Sequence, residues 1–215
     1  KNMIAEAMAE KERIGKGLGL NVRQLFSGIG RDTMAMSLND LVGIGATPFL
    51  YEPIVATGDS DYLTDQNKSS GIIDGFEEGA KIARVAIPGG ETPTLKGVVY
   101  PNTVDFAGAS LGIINPKSRL VTGNRLEDGL TIFGVSSSGI HSNGVSLARK
   151  IAESLPEGYF TKLPSGRTLG EVLLTPTALY SPFIESLFES GADVRYIQPI
   201  TGHGFGKIMR KKKSL

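Results

Sequence analysis

The clearest periodic stretch of the chain lies between Gly71 and Arg84, where Ile72, Phe76, Ala80 and Ala83 recur at intervals of four, four and three residues. That spacing draws one apolar stripe along a surface and predicts an amphipathic helix over 71–84. The opening segment Asn2–Arg13 has helical composition, with Ala5, Ala7, Met8 and Ala9 set among charges. A glycine-rich loop follows over 15–20. Another helix is expected over 31–41, where Met34, Met36, Leu38 and Leu41 stand among small polar residues and the pair Asn39-Asp40. Phe49, Leu50, Tyr51, Ile54 and Val55 make 48–57 β-rich, and Pro53 places that strand near an edge or bend. A polar loop over 58–70, a short strand over 85–87 and a long strand over 104–114, carrying Phe106, Leu111, Ile113 and Ile114, complete the first half.

Asn115-Pro116-Lys117 punctuates the pattern, so two domains are expected, 1–115 and 116–215. Beyond it, 130–136 reads as a strand entering the polar loop 137–144. Val145, Ala148, Ile151 and Ala152 then continue as a helix that starts directly after that loop. Residues 173–189 read as mostly helical, with Leu179, Phe183, Leu187 and Phe188 on one face and Pro176 in the first turn. Strands and helices mix in both halves, which points to α/β or α+β units.

Composition narrows the function classes. Lys plus Arg is 23 against 22 for Asp plus Glu, so no large net charge selects a nucleic acid or a membrane surface, and a small-molecule substrate is expected. The absence of cysteine excludes disulfides, zinc-thiolate sites and a thiol nucleophile. The first thirteen residues carry no apolar run of signal-peptide or membrane-span type, so a cytoplasmic setting is the expectation. Lys211 to Lys213 reads as a solvated basic end.

Four segments gather polar residues beside glycine: Ser37-Leu38-Asn39-Asp40, Gly89-Gly90-Glu91-Thr92, Ser136 to Gly144 and Thr201 to Gly206. Glycine lets a phosphate approach the backbone, although the same clusters also make simple turns. Asp40 and Glu91, with Asp32 and Asp105, have the hard oxygen donors that magnesium prefers beside phosphates; carboxylates of this kind also cap helices or sit in solvent. His141 lies in a run of hydroxyls and an amide, where it could donate to a phosphate or exchange a proton. Neither a P-loop nor a dinucleotide fingerprint is present, and Ser138 lacks the Gly-x-Ser-x-Gly setting of a serine hydrolase.

Taken in order, Ala35 to Leu41, Gly45-Ala46-Thr47-Pro48, Ala56-Thr57-Gly58, Gly89-Gly90-Glu91-Thr92, Asp105-Phe106-Ala107-Gly108, Ser137 to Gly144, Leu173-Leu174-Thr175-Pro176-Thr177 and Ile200-Thr201-Gly202 resemble the signature of the aminoimidazole ribonucleotide synthetase family, also called phosphoribosylformylglycinamidine cyclo-ligases. The resemblance runs from about Gly28 to Gly206. It implies an α/β (α+β) fold of two domains: an N-terminal ATP-binding domain whose sheet forms a barrel at a homodimer interface, and a C-terminal α/β domain. It implies ATP and Mg2+, and closure of the imidazole ring of formylglycinamidine ribonucleotide in purine biosynthesis. Residue by residue, it implies catalytic roles for His141 and Asp40, and ATP contacts for Asn39, Gly89, Gly90, Glu91 and Thr92. The substrate contacts it implies are Ser142, Asn143, Gly144, Thr201 and Gly202, and the metal ligands Asp40, Glu91 and Asp105.

Two departures from the family pattern stand out. No Asp-Gly-Val-Gly-Thr-Lys loop precedes 26–32, and Pro199 and His203 stand where the family has histidine and glycine. They keep open two other readings: a related ATP-using enzyme with another substrate, and a nucleotide-binding homologue without turnover.

Overall fold

Helix α1 spans Asn2–Arg13 and α2 spans Val22–Val42 in the computed structural model, which describes residues 1–14 and 19–210. The glycine-rich loop over 15–20 and the basic run over 211–213 therefore lie wholly or mostly outside the described residues. Helix α2 starts nine residues before the expected 31–41, because Asn21 caps it by accepting from the Gln24 N–H and the glycines within it are tolerated by close packing. Helix α3, Gln66–Ala83, also starts earlier than its apolar stripe. Asp65 caps it, accepting from the N–H groups of Asn67 and Lys68.

Helices α2 and α3 lie unusually close, and glycine permits it. A Cβ on Gly75 would fall 2.1 Å from the Ser27 carbonyl oxygen, and one on Gly30 would fall 2.5 Å from the Ile72 carbonyl oxygen. Against this pair α1 buries Ile4, Ala5, Met8 and Ala9, which meet Phe26, Ile29 and Ile72 in one cluster. Each large apolar side chain so buried contributes about 1.5–3 kcal/mol.

Strand β1, Thr47–Thr57, pairs antiparallel with β2, Val104–Ile113, with a bulge between Pro48 and Leu50. The short strand expected over 85–87 is reduced to a single parallel bridge, Leu50 to Ala86. The segment keeps following β1 in isolated parallel bridges at Glu91 and Thr94, since prolines and glycines between them interrupt a continuous ladder. Tyr51 from β1 is buried with Met34, Leu38, Ala83 and Val85, so the inner face of the sheet packs on α2 and α3. On the outer face Phe49, Ile54, Leu111 and Ile113 are exposed.

The second half carries α4 (Val145–Ser154), α5 (Leu169–Leu173) and α6 (Ser181–Glu189). The strand expected over 130–136 is not formed; the segment finds no ladder partner among the described residues, and Ile132 and Phe133 are exposed. Of the helix expected over 173–189 only 181–189 forms, as α6; Leu173 closes the preceding α5 and 174–180 is irregular. The break has a physical cause: the N–H groups of Thr177 and Tyr180 donate to side chains of α2 instead of to carbonyls one turn back. Pro176 accordingly lies in the break, and Pro182 takes the first-turn position.

Candidate active site

Asp32 projects from the middle of α2 toward the second half of the chain. Its side chain is 5% exposed and that of Lys1 is 4%, with Lys1 Nζ 3.0 Å from Oδ2. The ammonium also donates to Asp32 Oδ1 at 3.1 Å and to the Thr175 carbonyl at 2.7 Å. Thr177 donates to the same Oδ1 through its N–H, at 2.8 Å, and through its hydroxyl. Asp32 Oδ1 thus accepts three hydrogen bonds, while the buried Oδ2 has only the facing Lys1 charge to offset its desolvation. Burial pulls the Lys1 pKa down, and the facing Asp32 carboxylate offsets part of that effect.

Further along α2, Asn39 grips the same segment from both ends of its amide. Nδ2 donates to the Ala178 carbonyl at 2.8 Å and Oδ1 accepts from the Tyr180 N–H at 3.0 Å. Residues 175–180 are thus fixed as an irregular strap against α2, and the 138–144 loop rests on that strap. Ser138 Oγ donates to the Pro176 carbonyl at 2.6 Å, and Ser142 and Thr177 bring their hydroxyls within 3.5 Å.

His141 adopts φ 54 in this loop, a left-handed conformation uncommon outside glycine but one that histidine enters more readily than most residues. The Ser138 N–H donates to its Nε2 at 3.2 Å, which assigns the proton of the neutral ring to Nδ1. The ring lies 6.1 Å from that of Tyr180. Its pKa is lowered, first by burial, then by the Lys1 charge, with Asp32 acting in opposition. The imidazole is therefore uncharged near pH 7, able to accept a proton or donate a hydrogen bond.

The loop ends on Gly144, which is left-handed at φ 71 and heads α4 without any side-chain cap. The first N–H groups of α4 are open to an anion. Asn143 adjoins the second glycine loop: a Cβ on Gly202 would lie 3.9 Å from Asn143 Oδ1. The structure therefore brings His141, Ser142, Asn143, Gly144 and Gly202 into one neighbourhood, with Thr201 next in chain.

The acidic and first-glycine candidates are placed elsewhere. Gly89-Gly90-Glu91-Thr92 runs along β1, the Glu91 N–H donating to the Pro53 carbonyl and the Val55 N–H to that of Glu91. Gly90, at φ 150, passes so close to Pro53 that a Cβ would stand 2.8 Å from its carbonyl oxygen, whereas Gly89 faces open space. Asp40, Glu91 and Asp105 are all exposed and none heads a helix. Among the described residues no three His, Cys, Asp or Glu side chains converge to hold a metal ion.

Lys1 and Thr177 carry the buried centre of the site, yet neither stands out by pattern. Thr177 lies within the Leu173 to Thr177 stretch that resembles the family, and that position was the available signal. Asp32, a metal-ligand candidate by residue type, is instead spent on Lys1 and Thr177.

These features define a two-module protein of mixed helix and sheet, with a cluster of polar side chains and glycine turns at the seam between its modules. Residues 17–114 match the family described as AIR synthase related protein, N-terminal domain, and residues 127–207 match its C-terminal domain. The chain belongs to this family. A phosphoribosylformylglycinamidine cyclo-ligase of Lachnoclostridium phytofermentans is 39% identical over 178 residues, covering 82% of this chain and 51% of its own length. One of Methanothermobacter thermautotrophicus is 36% identical, covering 99% of this chain and 61% of its own length. The chain thus spans between half and two thirds of such relatives. Among solved structures, the hydrogenase maturation protein HypE of E. coli superposes with a TM-score of 0.56 at 17% identity, covering 85% of this chain and 50% of that one. A ThiL protein complexed with AMPPCP and TMP gives 0.53 at 12% identity, covering 76% and 46%. At these identities the structural likeness establishes the fold alone.

Proposed function

We propose that this chain carries the site of a phosphoribosylformylglycinamidine cyclo-ligase. The observation that carries the proposal is the seam itself, where Lys1–Asp32–Thr177 of the two modules supports the His141 loop, in a chain whose relatives at 35–39% identity bear that name. ATP is the co-substrate, and HypE has been solved in complex with ATP in the same fold. The γ-phosphoryl group passes to the amide oxygen of formylglycinamidine ribonucleotide, ADP leaves, the internal nitrogen attacks the activated carbon, and phosphate departs as the imidazole ring closes. The protein's part is to orient and to neutralise charge.

In this reading neutral His141 hydrogen-bonds or takes a proton at the reacting centre, while Ser142, Asn143, Gly144, Thr201 and Gly202 hold the ribonucleotide. Asp40 acts beside the phosphates, and Asn39, Gly89, Gly90, Glu91 and Thr92 contact ATP, Asn39 also positioning the 178–180 strap. Asp40, Glu91 and Asp105 are proposed to meet Mg2+, whose charge would help neutralise the ATP phosphates; the described residues of one chain do not form a cage for it. The domain division at 115/116, a homodimer joined through the sheet's outer face into a barrel, and a cytoplasmic setting complete the proposal. No described helix is long and apolar enough to cross a membrane.

A panel of candidate substrates scored by ADP release tests the assignment. Stimulation by formylglycinamidine ribonucleotide, with no response to thiamine monophosphate, is the expected result. Stimulation only by another substrate would make the chain a different ATP-using relative.

A further inference from the structure

Three lysine ammonium groups are carried on nearly buried side chains among the described residues, and two of them face a carboxylate: Lys1 faces Asp32 at 3.0 Å and Lys68 faces Glu6 at 2.7 Å. Lys207 is the exception. It is 8% exposed, in the 3-10 segment Gly204–Arg210, and its ammonium donates to Thr201 Oγ1 at 2.8 Å with no salt bridge to any carboxylate among the described residues. An ammonium on a nearly buried side chain that meets only one hydroxyl keeps donors that an arriving anion can take in charge-assisted hydrogen bonds.

The surroundings suit an anion. Thr201 leads into Gly202, which adjoins Asn143, and Asn143-Gly144 leads into the uncapped start of α4. Lys207, the Thr201 hydroxyl and the α4 N–H groups therefore lie around the same pair of glycine loops, and two of the three bring positive or partial positive charge. Gly144 has open space where a Cβ would be, so a phosphate can approach the backbone there.

We propose that Lys207 is the cationic anchor of a phosphate subsite formed with Thr201 and the Asn143-Gly144 turn. Resting on the cyclo-ligase reading, the phosphate is that of the ribonucleotide or one from ATP, and the two sources are separable by experiment.

The first arm does not depend on that reading. Inorganic phosphate is titrated against the thermal unfolding of the wild-type protein and of Lys207→Met, Lys207→Arg and an exposed control, Lys96→Met. Wild type, Lys207→Arg and the control are expected to gain Tm with phosphate, and Lys207→Met to need about tenfold more for the same gain. Should Lys207→Met fail to fold, Lys207→Gln serves in its place. Equal phosphate shifts in wild type and the neutral variants would overturn the subsite.

The second arm reads turnover. Lys207→Met is expected to raise one KM about tenfold while kcat stays within about twofold, as uniform binding loss requires. A rise in the ribonucleotide KM assigns the nucleotide monophosphate, and a rise in the ATP KM assigns the ATP phosphates. A fall in kcat with both KM values unchanged would contradict a binding role. Loss of phosphate binding in Lys207→Met, in a wild type that turns over no ribonucleotide, would keep the subsite and remove the cyclo-ligase reading.

Discussion

At the scale of the residue, the account turns on Asp32 and His141. Asp32 accepts from Lys1 and twice from Thr177 in a nearly dry setting, so removing it leaves a buried ammonium unpaired. Asp32→Ala should lower unfolding free energy by about 3–5 kcal/mol in urea titrations. A loss below about 1 kcal/mol would mean that the pair is a solvated contact. His141 titrates below its ordinary value because burial and Lys1 disfavour the imidazolium. Turnover should therefore persist as pH falls through about 6.5, the unperturbed histidine range. Its acidic limb should lie below that range and vanish with the residual activity of His141→Ala; a limb at or above 6.5 would contradict the assignment. His141 was legible in the sequence because a histidine among hydroxyls and glycines has few structural uses. Lys1 and Thr177 were not, since their roles come from tertiary contacts 31 to 174 residues apart along the chain.

At the scale of the element, local pattern served best where one side of a helix meets the core. The stripe Ile72, Phe76, Ala80 and Ala83 located α3, while its first residues, Gln66 to Ser70, were hidden because they are polar and read as loop until Asp65 is seen to cap them. Gly75→Ala forces a methyl group against the Ser27 carbonyl and should destabilise the protein by about 2–3 kcal/mol, with a wild-type-like denaturation midpoint as the contrary result. The break between α5 and α6 was illegible for the opposite reason: nothing within 173–189 announces that α2 side chains take its N–H groups. Helix α6 is held within the second module by Arg119, which donates to both oxygens of Glu185 at 3.0 and 2.6 Å, and across to β1 of the first module by Thr47, which donates to Glu185 at 2.9 Å. Those hydrogen bonds, Arg119 first, hold the Glu185 pKa below the usual glutamate range. The folded pKa is depressed, so the contribution is present above about 4.3 and is lost as pH falls through the folded value. Glu185→Gln should therefore show a shallower loss of stability on acidification below that point, and matching slopes would remove the clamp.

At the scale of the whole molecule, the order of motifs along the chain proved more informative than any single motif, because each glycine cluster alone could be a turn. Together they indicated two modules, and the fold joins those modules through α2, the 175–180 strap and the 138–144 loop. The sheet's outer face leaves Phe49, Ile54, Leu111 and Ile113 in solvent, an arrangement that favours burial against a second copy. Sedimentation equilibrium should return twice the chain mass for the wild type and a shift to monomer for Leu111→Lys; a wild-type monomer at every concentration would remove the dimer. The central claim, that this seam closes a ring at the expense of ATP, is tested most directly by measuring phosphate and aminoimidazole ribonucleotide in one reaction. The account predicts one phosphate per product, both dependent on ATP and on formylglycinamidine ribonucleotide. Phosphate released without product, or neither released by folded protein, would contradict it.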